Sequence, residues 1–75
     1  MNADKVVDAK GLACPMPIVK TKKAIDELRS GEVLEVLATD KGAKSDLAAW
    51  ASSSGHEFIS DSEENGVFTF YIRKA

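Results

Sequence analysis

The chain reads as an α/β (α+β) two-layer sandwich, β-α-β-α-β-β, with two helices on one face of a four-stranded mixed sheet. Three observations predict it. Residues 15–30 and 43–54 carry apolar side chains at helical spacing, and each stretch follows a short strand-like apolar run. Two further alternating runs close the chain around Asn65-Gly66, a strong hairpin signal because a type I′ turn needs positive φ at both central positions. Right-handed crossovers after the first two strands would then bring both helices to the same side.

Lys5-Val6-Val7-Asp8 is expected as the first strand. The first helix is expected from Pro15 to Ser30, closed by Gly31. Pro15 and Pro17 would both fall in its first turn, where a missing N–H has no intrahelical partner to lose. Ile18, Thr21, Ala24, Ile25 and Leu28 share the face that goes down onto the sheet. Lys20, Lys23 and Glu27 lie opposite, with Lys22–Asp26 and Lys23–Glu27 spaced as i,i+4 pairs. Val33 to Thr39 is nearly all apolar, so it belongs in the middle of the sheet. After the loop Asp40-Lys41-Gly42, the second helix runs from Ala43 to Ser54 with Ala43, Leu47, Trp50 and Ala51 as its buried stripe, and Gly55 supplies a left-handed stop. Asp40 and Asp46 flank the start of this helix as capping or dipole-stabilising acids. The third strand is expected at His56 to Ser62 and the fourth at Val67 to Arg73, with Phe68, Phe70 and Ile72 inward. The uncovered sheet face would carry Leu37, Val67 and Tyr71 among Glu35 and Thr69.

Composition narrows the function. With 75 residues, the stretch 1–75 forms one small domain, near the size where about 60% of the unfolded surface is buried. A single cysteine can make neither an internal disulfide nor a structural zinc site, so the core rests on apolar packing alone. Met1 to Ala9 lacks the apolar run of a signal peptide and no stretch reaches membrane-span length, so a cytoplasmic protein with no membrane partner is expected. The formal net charge of −2 gives no overall attraction to nucleic acid, and no direct nucleic-acid contact is expected.

The chemistry points to Cys14, in Gly11-Leu12-Ala13-Cys14-Pro15-Met16-Pro17. At or beside the N-cap of the first helix, unpaired backbone N–H groups and the positive end of the helix dipole favour a thiolate. The competing reading is a buried, inert cysteine. Gly11 allows a close approach and Ala13 leaves the thiol unshielded, which favours the chemical reading. Lys20, Lys22 and Lys23 are most simply a solvated helix face, but near a thiolate they would add positive potential and attract an acidic partner. Asp40, at the carboxyl end of a central strand and so on the same rim as Cys14, is a possible partner contact. His56 is expected as a turn residue satisfied locally, not as a base for Cys14. No metal site is expected.

The segment Asp8-Ala9-Lys10-Gly11-Leu12-Ala13-Cys14-Pro15-Met16-Pro17, followed by Gly31-Glu32, Asp40, Asp46, Gly55-His56 and Arg73-Lys74, resembles the TusA/SirA family of small sulfur carriers over almost the whole chain. The resemblance implies a β-α-β-α-β-β sandwich and a persulfide carried on Cys14, with Gly11, Leu12, Pro15 and Pro17 as the helix-start motif. It implies a cysteine desulfurase or rhodanese-type sulfur donor, and acceptor proteins in tRNA thiolation, cofactor synthesis or sulfur metabolism. No cofactor is expected beyond the covalently held sulfur. One thiol without an identifiable acid, base or metal cluster suits a relay better than a stand-alone enzyme. Two other readings are a thiol redox regulator using Cys14 and a small RNA- or protein-binding module. The negative net charge and the lack of a basic strip with exposed aromatics weigh against RNA.

Overall fold

The structure, a computed structural model, describes residues 3–13 and 15–75. Its elements are β1 (Lys5–Ala9), α1 (Met16–Asp26), β2 (Val33–Ala38), α2 (Ala43–Ser54), β3 (Glu57–Glu64) and β4 (Val67–Arg73). The sheet order is β1-β2-β4-β3. β1 runs parallel to β2, and β4 is antiparallel to both β2 and β3. One sheet face supplies Val7, Ala9, Leu34, Val36, Ala38, Phe70 and Ile72 to the core, and the helices supply Ala24, Ile25, Ala43, Leu47 and Ala51. Two helices on one face of a four-stranded mixed sheet is thus the observed architecture. No helix among the described residues is long and apolar enough to cross a membrane.

Several local expectations need correction. Helix α1 ends at Asp26, short of Ser30, because the Glu27 and Leu28 N–H groups bond to the carbonyls of Ala24 and Ile25, three residues back, and tighten the last turn. Leu28 stays buried although it has left the helix. Gly31, at φ +88°, serves the following turn instead of the helix stop: Glu32 N–H donates to the Arg29 carbonyl and the Glu32 carboxylate accepts from the Arg29 N–H. At the other end Pro15 is the N-cap, with φ −96° and ψ 9°, so only Pro17 lies within the first turn. Glu27 pairs not with Lys23 but with Lys5 of β1, at 2.9 Å. Helix α2 has the expected bounds, yet its N-cap is Gly42 with no side-chain cap, and Asp46 sits in the first turn near the positive end of the dipole. Trp50 is half-buried, its ring 5.3 Å from that of His56 at the end of the sheet, where solvent reaches it.

Strand β3 runs to Glu64, past the expected Ser62, because pairing with β4 continues up to the turn despite the polar sequence. A register shift between Phe58 and Ser60 bulges the strand. Beyond it Asp61 faces the helices, and its carboxylate meets Lys44 of α2 at 3.2 Å. Asn65 and Gly66 have φ of 53° and 80°, the positive values the hairpin turn requires.

On the uncovered face Leu37, Val67 and Tyr71 are half-buried beside Glu35 and Thr69, and Val6 is 54% exposed. Tyr71 stands opposite Glu35. Desolvation, and then the hydrogen bond to the Glu35 carboxylate and its charge, hold the phenol above its ordinary pKa.

The register defines two rims. Val33, Arg73 and Glu57 align at one end of the sheet, and Ala9, Ala38, Phe68 and Glu63 at the other. The first rim is tied together by residues around the two ends of the sheet-forming chain. Asp4 N–H donates to the Val33 carbonyl at 2.8 Å and Lys74 N–H to the Glu32 carbonyl at 2.9 Å, while the Lys74 ammonium donates to the Leu28 carbonyl at 2.7 Å.

Candidate functional site

The second rim holds the candidate site. Because β1 and β2 are parallel with Ala9 opposite Ala38, residues 10–13 and 39–42 leave the sheet side by side. Helices α1 and α2 both begin from these segments, at the N-caps Pro15 and Gly42. Two positive dipole ends and their unpaired N–H groups therefore face this rim. Such placement, beyond the carboxyl ends of parallel strands, is where open α/β sheets commonly bind and react.

Cys14 lies outside the described residues. The chain on either side of it is well specified. Lys10 N–H donates to Asp8 Oδ1 at 3.0 Å, and Leu12 N–H to the Ala9 carbonyl at 3.2 Å. Gly11 has φ +80°, a conformation a side chain would strain, and its N–H donates to Thr39 Oγ1 at 2.9 Å. Leu12 packs its side chain against the core, and Met16 N–H bonds to the Ala13 carbonyl at 2.9 Å. Pro15 is exposed, whereas Pro17 is buried and its carbonyl accepts the Thr21 hydroxyl at 2.7 Å. Ala13 and Pro15 are both open to solvent.

Lys10 and Lys20 lie near this rim, whereas Lys23 stands in the last turn of α1, away from the helix start. No Asp or Glu occurs between Asp8 and Asp26, while Lys10, Lys20, Lys22 and Lys23 do. All four lysines are exposed, and Lys20 Nζ donates to the Asp8 carbonyl at 3.4 Å. Asp40 is half-buried; its Oδ1 accepts the Gly42 N–H at 3.3 Å and its carbonyl accepts the Ala43 N–H at 3.1 Å, so it shapes the loop into α2. His56 belongs to the opposite rim, where its Nδ1 accepts the Ala75 N–H at 3.0 Å. Among the described residues, no group of three or more His, Cys, Asp and Glu is placed to hold a metal ion.

Sequence reasoning passed over three residues. Met16 and Val19 are 43% and 40% exposed and, with Lys20 and Lys23, follow one helical stripe. Their signal is negative: they are apolar residues that do not fit the buried spacing. Thr39 carries no local signal at all, because its bond to Gly11 joins distant parts of the chain.

The family model described as Sulfurtransferase TusA matches residues 5–74. The chain belongs to the TusA family. It is 61% identical over 74 residues to YrkI of Bacillus subtilis, covering 99% of each chain. It is 44% identical over 72 residues to the sulfur carrier protein TusA of Allochromatium vinosum, covering 96% of this chain and 95% of that one. In three dimensions it is similar to the crystal structure of the SirA-like protein from Desulfitobacterium hafniense, with a TM-score of 0.77 at 32% identity, over 92% of this chain and 95% of that one. The TusA likeness therefore spans the sheet, both helices and the rim, not the cysteine motif alone.

Proposed function

We propose that this TusA-family protein carries sulfur as a persulfide on Cys14, taking it from a cysteine desulfurase or rhodanese-type donor and passing it to an acceptor protein. The reducing cytoplasm suits this role, since a lone thiol stays available there. tRNA thiolation, cofactor synthesis and sulfur metabolism are the destinations the family suggests. The observation that supports the reading is the rim: the lone cysteine falls in sequence between exposed Ala13 and Pro15, in the stretch that joins the end of β1 to the start of α1.

Loading is a thiol–persulfide exchange. The Cys14 thiolate attacks the outer sulfur of the donor persulfide, a new S–S bond forms, the old one breaks, and the donor cysteine leaves as a thiolate. Unloading repeats the step with the acceptor thiolate as attacker and Cys14 as leaving group. No net oxidation occurs in either step. The protein supplies a thiolate and a docking surface, and the partner supplies the second sulfur atom or the acceptor.

Incubation with a cysteine desulfurase and free cysteine is expected to add the mass of one sulfur atom, removable by a reductant. No gain in mass would end the carrier reading. The rate of Cys14 alkylation against pH should show a midpoint below the ordinary cysteine value of about 8.5. A midpoint at or above that value would mean that helix starts and lysines do not activate the thiol.

The lysines also predict how partners arrive. Reversing Lys22 and Lys23 to Glu should slow sulfur transfer mainly through the association rate, and most at low salt, while alkylation by a small reagent persists. Equal rates at every ionic strength would reduce them to a solvated helix face. Tight RNA binding at physiological salt, lost on the same reversal, would favour a nucleic-acid-binding module.

A further inference from the structure

We infer that Thr39 is a positioning residue for sulfur transfer: its hydroxyl oxygen holds the Gly11–Ala13 segment, which directly precedes Cys14 in sequence, against the end of β2. The inference rests on the carrier reading above. Its structural basis is a single bond, Gly11 N–H to Thr39 Oγ1 at 2.9 Å, between residues 28 apart in sequence.

Among the described residues, the other backbone hydrogen bonds of this segment are local. Lys10 N–H reaches Asp8 Oδ1, Leu12 N–H reaches the Ala9 carbonyl, and Ala13 receives the Met16 N–H. These set the shape of the turn. They tie the turn to β1, the strand it leaves, and not to the neighbouring β2. Leu12, packed against the core, gives the segment one point of attachment. A single apolar contact still permits rotation about itself, and a second, directional contact removes that freedom. The Thr39 oxygen supplies it from the neighbouring parallel strand's exit, through a backbone N–H set by the left-handed conformation of Gly11. Orientation matters for this chemistry because the attacking sulfur, the outer sulfur and the leaving sulfur must come into line, and small misplacements are costly in rate.

Exposure decides what losing the bond would do. Gly11 and Thr39 are both exposed, so water can replace the lost partner and the fold survives. The loss should appear as freedom of the segment, not as unfolding. Valine keeps the shape of threonine without the oxygen, serine keeps the oxygen without the methyl group, and alanine removes both.

The experiment uses the full chain carrying Thr39→Val, Thr39→Ala or Thr39→Ser, with three readouts: Gly11 amide hydrogen exchange, the rate of sulfur transfer from a cysteine desulfurase persulfide to Cys14, and the thermal midpoint. Thr39→Val and Thr39→Ala should both speed Gly11 exchange and lower the transfer rate by about two- to tenfold, the range a typical net hydrogen bond allows. Thr39→Ser should restore both to within about twofold of the unaltered protein, as expected where the retained hydroxyl can still accept the same bond. Transfer at the unaltered rate in Thr39→Val and Thr39→Ala, or a failure of Thr39→Ser to restore it, would overturn the inference. So would Gly11 exchange indifferent to all three substitutions. Unaltered protein that takes no sulfur would instead overturn the carrier reading, and the exchange data would still show whether Thr39 holds the segment.

Discussion

Replacing Cys14 with Ser is expected to abolish sulfur loading while leaving the protein folded. A hydroxyl cannot form a persulfide, and no second cysteine exists to substitute for it. Intact mass after incubation with a cysteine desulfurase checks the first half of the expectation, and a thermal melt checks the second. The neighbours on both sides of position 14 are exposed, so little stability should be lost. A variant that unfolds would favour a packing role for the cysteine over a chemical one.

The largest effect on stability is expected at Phe70. It is fully buried in β4, between β2 and β3, with its ring 6.0 Å from Phe58 and 6.3 Å from Phe68. Phe70→Ala removes most of a large apolar side chain and leaves a cavity that the surrounding sheet and helices cannot fill, at a cost of about 3–5 kcal/mol. At roughly 0.05–0.15 kcal/mol per residue, a domain of this size has a total stability of the same order. The variant should therefore be largely unfolded or lose most of its urea midpoint. Trp50→Ala, at a half-buried ring, should cost less. Equal losses at the two positions would mean that Trp50 contributes to the core as fully as Phe70.

What could be read from the sequence follows the range of the interactions that specify each element. Helix α2 and the β3–β4 hairpin were legible because their boundaries are written locally: Gly55 takes the left-handed stop and Asn65-Gly66 takes positive φ whatever surrounds them. The end of α1 was not. Leu28 continues the helical spacing and is buried, but the chain reaches that position through a tighter turn whose Leu28 carbonyl is held by Lys74, from the far end of the chain. Periodicity reports burial there, not helix. Pro15 shows the same limit on a smaller scale, since a proline is equally at home at the N-cap and just inside.

At the site, the local features were visible and the cross-chain ones were not. The motif, the helix start, the lysines and the rim shared with Asp40 follow from spacing and from parallel-strand topology. Thr39 emerges only when the ends of β1 and β2 are laid side by side. Met16 and Val19 emerge only when the buried face of α1 is known and what remains outside it can be seen. His56 reads from the sequence as a turn residue satisfied locally, and its Nδ1 accepts the Ala75 N–H at the rim opposite the ends of β1 and β2.

That separation of ends also governs how the molecule can be handled. Strand β1 starts, and strand β4 finishes, at the rim away from the motif, so the chain enters and leaves the fold through its back. A purification tag, a fluorescent label or a surface tether attached beyond β1 or β4 would extend from behind, with the sheet between it and the rim where both helices start. Immobilised in this way, the protein would present the rim proposed for sulfur transfer outward to anything flowing past.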